Sequence, residues 1–279
     1  MAPLIDAAGL QRELLGDRPP VLLDVRWSLG GPDGAQEYAG GHLPGAVYVD
    51  LETQLARPRA TGEGRHPLPD PAALQEVLRG AGVSTDSRVV VHDAANSTSA
   101  ARAWWVLRWA GLSDVRVLDG GLASWVREGG VLTTDVPVPA PGDVVVRPGS
   151  LPVLDAARAA DLARSGVLLD ARAPERYRGE SEPVDPVAGH VPGAVNSPTT
   201  QNVTADGTFL PPGQLRERFA ALGLAPGVQV GAYCGSGVTA AHTLLALEVA
   251  GLSGVLYPGS WSEWVTDPDR PVATGADAG

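Results

Sequence analysis

Short apolar runs recur along the chain at 21–25, 89–92 and 115–118, and again at 167–171, 228–233 and 254–257. They are rich in Val and Leu and too short for core helices. Most show no polar alternation, the pattern of strands covered on both faces. Amphipathic stretches lie between them, and those at 72–80, 97–110, 212–222 and 239–250 are predicted helices. Gly80, Gly111, Gly223 and Gly251 stand where helix stops are expected. Strand and helix in alternation predict an α/β fold, with mostly parallel sheets flanked by helices.

The pattern occurs twice. Val21-Leu22-Leu23-Asp24-Val25-Arg26 returns as Val167-Leu168-Leu169-Asp170-Ala171-Arg172. Gly41-His42-Leu43-Pro44-Gly45-Ala46-Val47 returns as Gly189-His190-Val191-Pro192-Gly193-Ala194-Val195. Ala110-Gly111-Leu112-Ser113 returns as Ala250-Gly251-Leu252-Ser253, and Leu118-Asp119-Gly120-Gly121 with Trp125 answers Tyr257-Pro258-Gly259-Ser260 with Trp261 and Trp264. Four matches in one order indicate two copies of a single domain. The Pro-rich stretch Val136-Pro137-Val138-Pro139-Ala140-Pro141-Gly142 marks the join. The expected division is a domain at 1–138, a linker at 139–149 and a domain at 150–279.

Composition narrows the function. Hydrophobic residues make up 44% of the chain and charged residues 19%, as in an ordinary globular protein. A net charge of -11 argues against nucleic acid as a partner. No apolar run approaches the roughly 18 residues of a membrane span, and the first residues lack the basic start and apolar core of a signal peptide. A single cysteine excludes an internal disulfide and a Cys-based metal cluster. The expectation is a cytoplasmic protein without metal or cofactor.

That cysteine lies in Tyr233-Cys234-Gly235-Ser236-Gly237-Val238-Thr239-Ala240, between the predicted strand at 228–233 and the predicted helix from Thr239. Backbone N–H groups and the positive end of the helix dipole meet there and favour the thiolate, which is the nucleophile. A lone cysteine is more often a buried packing residue, but a packed core has no need of two glycines crowding the sulfur. In sheets of this kind ligands bind beyond the carboxyl ends of the strands, where this loop sits. The aligned loop of the first copy is Asp93-Ala94-Ala95-Asn96-Ser97-Thr98, with Ala94 opposite Cys234. The first copy is therefore expected to be catalytically silent.

The chain resembles the tandem-domain rhodanese sulfurtransferases over nearly its whole length. The resemblance rests on Leu-Asp-x-Arg followed by Gly-His-x-Pro-Gly-Ala in both halves, on Cys234-Gly235-Ser236-Gly237-Val238-Thr239, and on Gly259-Ser260-Trp261-Ser262-Glu263-Trp264. It implies two rhodanese-like domains and a two-step transfer. A donor gives its outer sulfur to Cys234 to form a persulfide, and a thiol, reduced thioredoxin or cyanide takes it away. Amides from Gly235 to Thr239, Gly237 and Val238 among them, would cradle the persulfide anion. Members preferring thiosulfate resemble Cys-Arg-Lys-Gly-Val-Thr, and members preferring mercaptopyruvate resemble the uncharged loop found here.

The resemblance further implies that Ser236 handles a proton together with a His and an acid. His66 matches that His, and Glu52 stands where the family has Asp. The donor carboxylate calls for arginine. Arg176 matches the first of the family's two, whereas the second has no equivalent, leaving Arg178 or Arg65 to stand in. Asp24, Arg26, His42, Asp170, Arg172 and His190 recur in both halves and read as scaffold. Trp104, Trp105, Trp109 and Trp125 read as packing. The related Cys-dependent phosphatases need one more loop residue and a closing Arg, whereas this loop ends Val238-Thr239-Ala240. The leading expectation is a sulfurtransferase taking sulfur from 3-mercaptopyruvate or thiosulfate, and two alternatives stand beside it: a thiosulfate:cyanide sulfurtransferase specifically, and a persulfide carrier without small-molecule turnover.

Overall fold

A computed structural model describes residues 2–279. They form two compact units. The first contains β1 (Leu4–Ile5), α1 (Ala7–Leu14), β2 (Val21–Asp24), α2 (Gly34–Gly40), β3 (Val47–Tyr48), α3 (Leu51–Gln54), α4 (Pro71–Gly80), β4 (Val89–His92), α5 (Thr98–Trp109), β5 (Val115–Leu118) and α6 (Gly121–Arg127). The second contains α7 (Ala156–Ser165), β6 (Val167–Asp170), α8 (Pro174–Tyr177), β7 (Val195–Asn196), a 3-10 turn at Thr199–Asn202, α9 (Pro212–Ala221), β8 (Val230–Tyr233), α10 (Thr239–Val249), β9 (Val255–Leu256) and α11 (Ser260–Trp264).

All ladders are parallel. The strand orders are β1-β5-β4-β2-β3 and β7-β6-β8-β9. The central pairs share a register: Asp24 lies opposite His92 in the first sheet, and Asp170 opposite Tyr233 in the second. The six predicted strands and four predicted helices are present, most with ends shifted by a residue or two. One helix stop differs. Gly80 belongs to α4, and Gly82 takes the left-handed conformation beyond it (φ +81°). The other two-residue strands, β1, β3 and β7, and the shorter helices carry too few positions for a period to register.

The repeated motifs build the same polar frame in each unit. Arg26 forks onto Asp24 at 3.0 and 2.9 Å and reaches the Gly41 carbonyl at 2.9 Å. Arg172 forks onto Asp170 at 3.0 and 2.6 Å and reaches the Gly189 carbonyl at 2.7 Å. His42 stacks on Tyr38 and His190 on Tyr177, the Nδ1 of each meeting that tyrosine's carbonyl. Buried, internally paired groups of this kind are scaffold, because a charged group left unpaired in a core is costly. Each unit has its own apolar core, with Leu22, Ala46 and Trp125 in one and Leu168, Ala194 and Trp264 in the other. Trp104, Trp105 and Trp109 of α5 are buried as well.

The units are not contiguous in sequence. Residues 58–67 belong to the second unit and residues 203–209 to the first. Both segments leave the chain at the same place in the repeat, ahead of α4 and α9 respectively. The Pro-rich stretch at 139–149 runs along the first unit: the Gly142 amide donates to the Arg79 carbonyl at 2.8 Å, and the Arg147 amide to the Ala110 carbonyl at 2.8 Å.

Candidate active site

The strand β8 delivers Cys234 to the N-terminal end of α10. The cysteine is free and 1% exposed. Its Sγ accepts the Gly237 amide at 3.2 Å. Gly237 turns that amide inward with φ +80°, and a Cβ there would come within 2.4 Å of the Pro258 carbonyl, so the position demands glycine. No side chain caps α10, which leaves the sulfur as the acceptor facing its first turn.

Two further strands of chain brace the loop. From α11, Trp261 and Ser262 amides donate to the carbonyls of Cys234 and Gly235, both at 2.9 Å. Ser260 accepts the Cys234 amide on its Oγ at 3.1 Å and donates to the Tyr257 carbonyl at 2.9 Å. It does so with φ +54°, a strained conformation for a residue other than glycine. In the sequence Ser260 stands out only as part of the Gly259–Trp264 motif, which carries no signal of this role.

The third component is the segment 58–67. His66 Nδ1 and Ser236 Oγ are 2.8 Å apart, and both residues are buried. The preceding residue is tied down by its own backbone, since the Arg65 amide donates to Ser262 Oγ at 3.0 Å. Arg65 Nη1 donates to Asp185 Oδ1. Asp185 Oδ2 accepts Arg176 Nη2 at 3.3 Å, and Arg176 forks onto Glu182 at 3.0 and 2.6 Å. Burial pushes the Glu182 carboxyl up. The Arg176 guanidinium and the amides of Asp185 and Val184 outweigh it and hold the group below the usual carboxylate range.

The expected residues therefore divide. Cys234, Gly235, Ser236, Gly237, Val238, Thr239, His66, Arg65 and Arg176 all belong to the second unit. Arg178 points to a surface ion pair with Glu180, both bonds 2.7 Å. Glu52 belongs to the first unit, exposed in the first turn of α3. Asp185 and Glu182 were missed because an acidic residue in a loop carries no signal until its arginine is placed.

Residues 7–128 and 155–267 each match the Rhodanese-like domain family. The chain belongs to the rhodanese family. A Pseudomonas aeruginosa protein carrying the name of a 3-mercaptopyruvate sulfurtransferase is 51% identical, over 91% of this chain and 92% of its own. SseB of Mycobacterium tuberculosis, which carries the name of a thiosulfate sulfurtransferase, is 48% identical over 98% and 97%. The crystal structure of SseA from Escherichia coli is similar, with 32% identity, a TM-score of 0.83, and 94% of this chain and all of that one covered.

The other rhodanese unit has the same loop with a different occupant. The bonds from Leu122 and Ala123 amides to the carbonyls of Asp93 and Ala94 repeat those from Trp261 and Ser262 to Cys234 and Gly235. Cys234 therefore corresponds to Asp93, one residue earlier than the sequence alignment put it. The shared offset held for helix ends but not for the loop itself. The Asp93 carboxylate accepts the amides of Ala95, Ser97, Ser99 and Ala100 and the Ser99 hydroxyl at 3.0 to 3.3 Å. Where one unit presents a sulfur to a helix N-terminus, the other fills the equivalent cradle with an anion of its own. At the position of Ser260 it has Gly121, with φ +56°.

Proposed function

We propose that this rhodanese is a sulfurtransferase working through a persulfide on Cys234, with 3-mercaptopyruvate as donor and thiosulfate as the competing one. The observation that carries the reading is the free Cys234 sulfur beneath the Gly237 amide, beside the Ser236–His66 pair. In the first step the Cys234 thiolate attacks the donor's thiol sulfur. The carbon–sulfur bond breaks and its electron pair leaves on the pyruvate enolate. The donor's S–H proton passes through Ser236 and His66 to the enolate carbon, giving pyruvate and the Cys234 persulfide anion. Loop amides at a helix N-terminus suit that anion, and they need no reorganisation when it forms.

In the second step an acceptor thiolate attacks the outer sulfur, takes it as its own persulfide and frees the Cys234 thiolate. Reduced thioredoxin or a small thiol serves as the acceptor, and cyanide would leave as thiocyanate. Arg176 is the cation for the donor carboxylate. The work is assigned to the domain at 150–279 together with residues 58–67, which join it in the second unit, the rest of the domain at 1–138 being silent because its cradle holds Asp93. A cytoplasmic setting accords with one reduced cysteine, and no helix among the described residues is long and apolar enough to cross a membrane.

Intact mass after donor treatment tests this. Wild type should gain one sulfur atom from mercaptopyruvate and lose it to a thiol with multiple turnovers. Cys234→Ser should gain none while keeping its circular dichroism. Retained transfer in that variant would refute the nucleophile, and loading without turnover would make the protein a carrier. Higher kcat/KM with thiosulfate than with mercaptopyruvate would reverse the donor assignment.

A further inference from the structure

The ion pairs beside Cys234 leave a particular set of donors unused. Asp185 takes Arg65 Nη1 and Arg176 Nη2, and Glu182 takes Arg176 Nε and Nη2. Arg65 Nη2 and Arg176 Nη1 donate to no protein atom among the described residues, and neither does the buried Arg65 Nε. Two of these unused nitrogens converge on one point. A methyl group built on Gly235 would come within 2.9 Å of Arg65 Nη2 and 3.6 Å of Arg176 Nη1. Both arginine side chains are mostly buried, at 20% and 17% exposure, while the Asp185 side chain is 3% exposed.

Two like charges do not gather at one spot unaided. Their shared partner is Asp185, whose two oxygens face one arginine each. It leaves Arg65 Nη2 and Arg176 Nη1 above Gly235, next to the nucleophile, without a protein acceptor among the described residues. The bare backbone of Gly235 is what leaves room for them.

We infer that Arg65, not Arg178, completes a two-arginine clamp for the carboxylate of the sulfur donor, and that Asp185 is the positioning residue that holds the clamp together. The inference rests on the donor chemistry proposed above. The clamp binds through Arg65 Nη2 and Arg176 Nη1, one to each carboxylate oxygen, while Asp185 stays in place. Because Arg65 and His66 are consecutive, one stretch of chain sets both the grip on the carboxylate and the proton handling at Ser236.

The test compares mercaptopyruvate with mercaptoacetone, an α-mercaptoketone lacking the carboxylate. Single-turnover persulfide formation is measured against the concentration of each. Arg65→Ala and Asp185→Asn should each raise the half-saturating mercaptopyruvate concentration about tenfold or more, with a saturating rate within about twofold. Mercaptoacetone kinetics should change far less than mercaptopyruvate kinetics in each variant, which also verifies an intact Cys234 loop. Arg65→Lys should recover part of the loss, and Arg178→Ala should match wild type.

An unchanged mercaptopyruvate response in Arg65→Ala overturns the clamp, as does equal loss with both donors. Tighter mercaptopyruvate binding in Asp185→Asn overturns the positioning role, since it would make Asp185 a competitor. Calorimetric titration of pyruvate into Cys234→Ala, with and without Arg65→Ala, separates this inference from the reading beneath it. An Arg65-dependent pyruvate affinity sustains the clamp even if no donor loads Cys234. Loading without that dependence sustains the sulfurtransferase and sinks the clamp.

Discussion

Ser260 holds a left-handed backbone at a cost of about 1–2 kcal/mol for a residue with a Cβ. The equivalent position in the other unit is a glycine, which takes the same conformation without that cost. The difference has a return, because the Ser260 hydroxyl gives the buried Cys234 amide its acceptor. Ser260→Ala keeps the strain and removes the hydroxyl. It should lower stability by about 1–2 kcal/mol in urea unfolding and slow persulfide formation, because the amide is left buried without a partner. Ser260→Gly relieves the strain while losing the same bond, so it should be the more stable of the two. The reverse order would mean that the left-handed backbone at Ser260 carries no strain for alanine to keep.

At the scale of elements, α8 and the loop after it form an acid–base strap. Glu182 joins Arg172 of the scaffold to Arg176 of the site, and its side chain is 3% exposed. Its carboxyl lies below the ordinary value of about 4.3 in the folded protein. The stability it contributes is therefore complete above that ordinary value and is lost as pH falls through the lower folded value. Glu182→Gln should cost about 3 kcal/mol at pH 7, as expected for breaking a buried pair. The gap from wild type should close on acidification below about pH 4.3. Unfolding free energies measured at a series of pH values check this, and a gap independent of pH would place the cost in shape rather than charge.

At the scale of the whole molecule, one fold solves the same helix-terminus problem twice. Asp93 accepts four amides and a hydroxyl, whereas the Cys234 sulfur accepts a single amide. The first arrangement is built for stability, although burial pushes the Asp93 carboxyl up. The second leaves amides for a ligand that arrives with the reaction. Asp93→Ala should destabilise the protein by about 3 kcal/mol, since it strands several buried donors at once. Cys234→Ala should cost about 1 kcal/mol, the loss of one small buried side chain. Equal losses in thermal unfolding would show the two cradles to be equally occupied.

The amino-acid sequence by itself determined the local and repeated features. Apolar runs and amphipathic stretches follow from burial and helical period, so β2, β4, β6, β8 and the long helices were legible. The repeat separated scaffold from chemistry, because Asp170, Arg172 and His190 have twins while Cys234 has none. Only the tertiary structure decided what depends on contacts between distant residues. It joined residues 58–67 to the second unit, which brought Arg65 to Asp185 and His66 to Ser236 across more than a hundred positions of chain. It moved the position equivalent to Cys234 from Ala94 to Asp93, and it sent Arg178 to the surface with Glu180. Charge pairing follows proximity in space, and a sequence records proximity only along the chain. The acids that aim the arginines were therefore visible from the beginning as residues, but not as partners.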